Sequence, residues 1–157
     1  MRVITGSAKG RTLKSPGAAT RPITDRVKTS LFNILGTRVI DANVLDLFAG
    51  AGSVGIEALS RGARYATFVE LDREALRAIR ENLALTRLAD RANVVRQDVF
   101  KFIETNTGSR YELIYVAPPQ YKGLWAETIA ALDTIRSRLG TPGAAGRVAE
   151  IALGMIA

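Results

Sequence analysis

The 157 residues include no cysteine and no histidine. The first absence rules out disulfides, thiolate metal sites and a cysteine nucleophile. The second removes the commonest general base and metal ligand, so any chemistry must run without imidazole, and no metal is expected. No apolar run approaches the roughly 18 residues of a membrane span. The start, MRVITGSAKG, has no signal-peptide core, so no membrane association and a cytoplasmic location are expected. What is present is ordinary for a globular chain, with 47% hydrophobic and 24% charged residues. The length predicts one domain over 1–157 with a substantial core, and a monomer is expected.

Acidic residues are scarce at the start of the chain. Residues 1–28 carry seven basic side chains (Arg2, Lys9, Arg11, Lys14, Arg21, Arg26 and Lys28) against Asp25 alone, which accounts for +6 of the formal +7. The remainder is nearly balanced. A basic arm on a neutral body is a footprint for a polyanion, because phosphate contacts supply much of the affinity for nucleic acid. A solvated cationic tail is the simpler alternative.

Residues 1–19 contain two short β-like pieces, Arg2 to Thr5 and Arg11 to Lys14, joined by GSAKG, which predicts a basic hairpin. From Thr24 the periodicity turns helical, with Val27, Leu31, Ile34 and Leu35 on one stripe and Thr24 or Asp25 as cap. Strands are then predicted at 43–48, 65–70, 93–97 and 111–116. Helices are predicted at 53–60, 73–86, 100–104 and 123–139. This alternation implies right-handed crossovers and a doubly wound, mostly parallel α/β sheet covered on both faces. The tail 140–157, rich in alanine and glycine, is a poor strand candidate.

Ligands of such sheets bind beyond the carboxyl ends of the strands. There the sequence has GAGSVG at 50–55, Glu70, Asp98 and the double proline of YVAPPQYKGLW at 115–125. The glycine pattern followed twenty residues on by an acid fits a dinucleotide fingerprint. Asp46, inside the first strand, argues against a pyrophosphate, because like charges in proximity repel. S-adenosylmethionine has ribose and adenine but cationic ammonium and sulfonium groups, so strand-end acids suit it. On that reading Asp46 and the glycine loop face its methionine part, Glu70 its ribose and Asp98 its adenine. A nucleic-acid-binding domain whose glycine turn only packs is the third possibility.

Three stretches, TRPITDRVKTSLFNIL (20–35), VLDLFAGAGSVGIEALSRGA (44–63) and FVELD (68–72), behind the basic start RVITGSAKGRTL, resemble the RsmD family. Its members are bacterial methyltransferases that modify the exocyclic N2 of a guanine in small-subunit ribosomal RNA. The likeness runs from residue 1 to about 139. It implies a Rossmann-like class I methyltransferase fold, S-adenosylmethionine as cofactor, and ribosomal RNA or the assembling small subunit as partner. It also implies Asp46, Phe48, Ala49, Gly50 and Gly52 at the methionine side, Glu70 with Leu71 at the ribose, and Asp98 with the Val99 backbone at the adenine. The basic residues Arg2, Lys9, Arg11, Lys14, Arg21 and Arg26 would grip RNA phosphates, and 20–33 would close over the cofactor.

Two features depart from the family pattern. Its catalytic corner usually reads Asp or Asn, Pro, Pro, then Tyr or Phe; here it is Ala117, Pro118, Pro119, Gln120, with Tyr121 one place late. The expected reading is that the Pro118 carbonyl and Gln120 accept the amino protons, Pro119 stiffens the corner, and Tyr121 or Trp125 stacks the base. The alternative is a catalytically weak RNA-binding relative. Beyond residue 139 the family's closing strands are expected to be shortened or missing.

Overall fold

The computed structural model describes residues 1–17, 23–106, 111–118 and 124–138. Four strands form one sheet: β1 (Asn43–Leu47), β2 (Tyr65–Glu70), β3 (Ala92–Arg96) and β4 (Leu113–Val116), in the order β3-β2-β1-β4, every pairing parallel. Helices α1 (Asp25–Leu35), α2 (Ser53–Ser60), α3 (Arg73–Thr86), α4 (Val99–Thr105) and α5 (Leu124–Arg138) alternate with them. The tail beyond residue 138, where shortened strands are expected, lies outside the described residues. Among the described residues no helix is long and apolar enough to cross a membrane.

Side chains alternate across each strand, so the sheet sorts its core into two. Val44, Ala66, Phe68 and Leu113 face α1, α2 and α3, meeting Leu31, Phe32, Ile56, Leu59, Ile79 and Leu83. Leu45, Leu47 and Val69 face the opposite side, where Val99, Phe102 and Ile103 of α4 cover them, with Leu132 of α5 packed against that cluster. A parallel sheet buried on both faces explains why its strands read as nearly unbroken apolar runs.

Most predicted elements stand within two residues, with three corrections. Ile34 is 61% exposed; the buried stripe of α1 is instead Lys28, Leu31, Phe32 and Leu35. β4 begins at Leu113, two residues late; just ahead of it the Asn43 N–H goes to the Glu112 side-chain carboxylate and not to a backbone carbonyl. The N-terminal pieces meet in a single antiparallel bridge, Arg2 with Thr12, flanked by Val3 N–H to Arg11 O and Leu13 N–H to Met1 O. They form no longer ladder because Ile4 and Thr5 donate their N–H groups to the Glu57 carboxylate, at 2.8 and 3.0 Å.

That diversion docks the hairpin onto α2, whose Ser53, Glu57 and Ser60 share one face and are all buried. Ser60 accepts the Ala8 N–H and donates its hydroxyl to Thr5 O. Lys28 and Glu57 are both fully buried, 3.5 Å apart, and Arg61 pairs with the same carboxylate at 2.8 Å. Burial pulls the Lys28 ammonium below its ordinary value, against the attraction of Glu57. Breaking one partner of such a pair costs about 3–5 kcal/mol, since the other charge is left buried and unmatched.

Candidate functional site

The loops after β1, β2, β3 and β4 converge at the carboxyl end of the sheet. After β1 the chain turns sharply: Phe48, Gly50 and Gly52 all have left-handed φ angles, of 58°, 56° and 74°. Glycine adopts such angles freely, whereas a phenylalanine there is strained, a mark of loops shaped for a ligand. The turn is held by Gly52 N–H to Ala49 O at 2.8 Å and by Ala49 N–H to Val69 O at 3.2 Å.

Asp46, one residue before the end of β1, is buried, with 1% exposure. It accepts the Gly55 N–H at 3.0 Å. Burial, reinforced by the neighbouring Glu70 charge and only partly opposed by Gly55, pushes its pKa up to about 8. Tyr115, across the ladder on β4, is pushed upward too, chiefly by burial and then by Asp46. Gly55 itself is a packing requirement, because a Cβ there would meet the Phe68 ring at 2.3 Å.

Glu70 lies where the ribose acid is expected. Its carboxylate accepts Gly50 N–H at 2.8 Å on one oxygen, and Leu71 and Asp72 N–H at 2.8 and 3.0 Å on the other. It therefore ties the first loop to the second, with Leu71 exposed beside it. Asp98 is the N-cap of α4: Oδ1 takes Phe100 and Lys101 N–H at 3.0 and 3.1 Å, while Oδ2 has no partner among the described residues. Val99, the first residue of α4, is buried. Phe100 packs edge-on against Phe48 with ring centroids 6.5 Å apart, bridging the first and third loops. After β4, Ala117 donates its N–H to Leu47 O at 3.4 Å and Pro118 is buried. Pro119, Gln120, Tyr121, Arg21 and the Trp125 side chain lie outside the described residues.

The basic arm is less free than its charge suggests. Lys28 is buried in the α2 cluster, Arg2 pairs with Asp25 at 3.0 Å and Lys14 with Glu81 at 2.8 Å. Lys9, Arg11 and Arg26 are exposed, with no ion-pair partner among the described residues. An apolar cavity of about 30 Å³ between α1, α2 and β4, lined by Phe32, Val54 and Tyr115 among others, holds none of the strand-end groups.

Sequence reasoning missed Asn82. Buried on α3, it accepts Lys14 N–H at 2.7 Å and donates to both Lys14 O and Ala51 O at 3.0 Å. It missed Lys28 and Glu57 as well. The available signal was a polar residue at a buried helical position: Lys28 precedes Leu31 by three, and Asn82 follows Ile79 by three.

Residues 1–140 match the protein family described as conserved hypothetical protein 95. The chain is 42% identical over 134 residues to the ribosomal RNA small subunit methyltransferase D of Escherichia coli strain K12, covering 85% of this chain and 67% of that protein. It thus spans about two thirds of that relative's length. A hypothetical protein of Thermus thermophilus of known structure superposes with a TM-score of 0.77 at 35% identity, over 86% of this chain and 78% of the other. The SAM-dependent methyltransferase of Agrobacterium tumefaciens superposes at 0.52 with 29% identity, over 59% of this chain and 30% of that one.

Proposed function

The chain belongs to the RsmD family, the one described as conserved hypothetical protein 95, and on that premise we propose that it methylates small-subunit ribosomal RNA in the cytoplasm, from S-adenosylmethionine onto the exocyclic N2 of a guanine. The observation that carries the cofactor class is the Asp46 carboxyl on the Gly55 N–H. In dinucleotide enzymes the start of the helix after the first strand receives a pyrophosphate. Here an acid of the protein occupies that donor. A nearby cation favours ionisation of this acid, and a phosphate opposes it.

The residues present fit S-adenosylmethionine, whose contribution when bound is a methyl group on a positively charged sulfur. Asp46 balances the ammonium of its methionine part. Glu70, fixed by three backbone N–H groups, has one lone pair left, on Oε2, for a ribose hydroxyl. The free Oδ2 of Asp98 accepts from the adenine amino group. Phe48, Ala49, Gly50 and Gly52 give the backbone its close approach, and Leu71 and the Val99 backbone border the nucleoside.

A guanine amino nitrogen is a weak nucleophile because its lone pair is delocalised into the ring. The protein's task is to hold that lone pair in line with the methyl and to receive the amino protons; orientation alone contributes about 7–11 kcal/mol in well-aligned reactions. The Pro118 carbonyl and Gln120 take the proton-accepting role, Pro119 keeps the corner stiff, and Tyr121 or Trp125 stacks the extruded base. The bound cofactor would supply the methyl group and leave as a neutral thioether, while the Pro118 carbonyl and Gln120 would hold the amino hydrogens by accepting their hydrogen bonds and the proton lost from the nitrogen would pass to water. Lys9, Arg11 and Arg26 hold phosphates, with Arg2, Lys14 and Arg21 adding charge around them.

A second reading is favoured by Ala117, which removes the side-chain acceptor of the usual corner: an RNA-binding relative with little activity. Transfer of tritiated methyl to in-vitro transcribed 16S rRNA and to small subunits from cells lacking the gene separates the two. Label recovered on guanine N2 by nuclease digestion and mass spectrometry is the expected result. Label on another base, or no label although S-adenosylhomocysteine and RNA both bind, would overturn the proposed activity.

A further inference from the structure

We propose that Asn82 and Lys28 are positioning residues that couple the N-terminal hairpin to the cofactor loop, so that RNA on the one and cofactor on the other strengthen each other's binding; this rests on the function proposed above. The two side chains reach the same two structures from opposite sides. Asn82, on α3, holds Lys14 by both its backbone N–H and its carbonyl, and donates to Ala51 O at 3.0 Å. Lys28, on α1, donates to Arg2 O and to Ser53 Oγ, the latter at 3.1 Å. Arg2 and Lys14 stand together at the base of the hairpin, beside the Leu13 to Met1 hydrogen bond. Ala51 and Ser53 bracket Gly52, whose left-handed turn shapes the loop into α2. Both ends of the hairpin base are thus tied to both sides of the loop's last glycine.

The ties are made by buried polar groups at positions where an apolar side chain would serve packing alone. No buried side-chain polar atom is left without a partner among the described residues. A shift of the hairpin relative to the loop would therefore leave several such groups unmatched at once, and unmatched buried groups are costly. Hairpin and loop move as one piece or not at all. A ligand that orders either end lowers the cost of ordering the other, and that is coupling by linkage.

The test is a calorimetric titration of S-adenosylhomocysteine into the full chain, alone and with saturating in-vitro transcribed 16S rRNA. The wild-type affinity is expected to tighten at least about fivefold with RNA, the lower end of ordinary coupling. Asn82→Ala removes its tie at both the hairpin and the loop, whereas Ser53→Ala cuts only the loop end of the Lys28 tie and leaves the Lys28–Glu57 ion pair intact, so that variant keeps the test open if Asn82→Ala melts. Each single affinity is expected to stay within about threefold of wild type, whereas the RNA-dependent tightening shrinks in each variant and vanishes in the double variant; simple loss of stability would not move that ratio. A wild-type ratio of one, or a ratio unchanged in the variants, overturns the coupling. Wild-type protein that binds neither ligand overturns the underlying function with it, a distinguishable outcome.

Discussion

The carboxyl of Asp46, the next-to-last residue of β1, accepts the N–H of Gly55, the third residue of α2, at 3.0 Å. Gly52 at the N-cap has no side chain for that task, so the strand supplies the cap that the helix lacks. The arrangement fastens α2 to the sheet beside the glycine turn.

Its electrostatic consequence is a pH dependence. The Asp46 carboxyl titrates near 3.8 when unfolded and is pushed up to about 8 by burial, so between those values the folded chain holds a proton that the unfolded chain has lost. This group's stabilising contribution is complete below pH 4 and is lost as pH rises through 8, a change of about 6 kcal/mol. Asp46→Asn keeps an oxygen for Gly55 and has no such titration. Urea denaturation at several pH values is expected to show the variant gaining on wild type as pH rises from 5 to 8; parallel profiles would contradict the assignment.

Cofactor binding should move the same proton. A carboxyl with a pKa of about 8 is mostly neutral at pH 7, and an ammonium group brought beside it favours the anion. Calorimetry of S-adenosylmethionine binding in two buffers of different ionisation enthalpy is expected to report release of about one proton by wild type and none by Asp46→Asn. Equal proton counts for the two proteins would remove Asp46 from the methionine side.

The docking of the hairpin is open to a glycine comparison. Gly6 has a φ of 88°, and a Cβ on it would stand 1.8 Å from Ser60 O, whereas Gly10, at 83°, has open space around it. Gly10→Ala should lose only the ~1–2 kcal/mol of a left-handed alanine. Gly6→Ala should lose more, because its hairpin must lift from α2, and trypsin should then cut at Lys9 or Arg11. Equal urea midpoints for the two variants would show that the docking adds no stability.

RNA contacts can be sorted by salt. Lys9, Arg11 and Arg26 are exposed and unengaged among the described residues, while Arg2 and Lys14 already hold Asp25 and Glu81. Alanine at each of the first three is expected to reduce the slope of log affinity against log salt by about 0.7–0.9, the release of one counterion. Arg2→Ala and Lys14→Ala should change it less. Filter binding of a 16S transcript across a salt series measures this, and a slope governed equally by all five would mean that the ion pairs open on binding.

The sequence made the sheet and its ligand end readable because parallel strands buried on both faces have few other solutions, and Glu70 and Asp98 stand at strand ends by simple counting. It hid the interior polar contacts. Asp46 read as an acid aimed at a ligand, yet its nearest task is to cap α2. Lys28 read as part of a cationic arm because charge counting ignores burial, and its partner Glu57 lies 29 residues away on another helix. Asn82 sits in a helix whose apolar stripe alone accounted for the folding, so the hydrogen bonds it makes 68 and 31 residues away left no local trace.

Ala117 offers the most direct test of how the corner works. It follows β4, its N–H reaches Leu47 O at 3.4 Å, and its methyl group cannot accept a proton. The backbone at this point is fixed on one side by the ladder and on the other by proline, so a longer side chain would change the chemistry with little movement of the chain. Ala117→Asn adds an amide oxygen beside the Pro118 carbonyl, where the proposed mechanism has the amino protons of the guanine received. A hydrogen bond that strengthens as positive charge develops on the nitrogen is worth about 1.5–3 kcal/mol, so kcat for methyl transfer should rise about 10- to 100-fold. KM for RNA should change little, since the gain appears only as the N–C bond forms. Ala117→Leu, which adds bulk without an acceptor, should give no gain. If Asn and Leu alter the rate alike, the corner works by shape alone, and the acceptor role assigned to it fails.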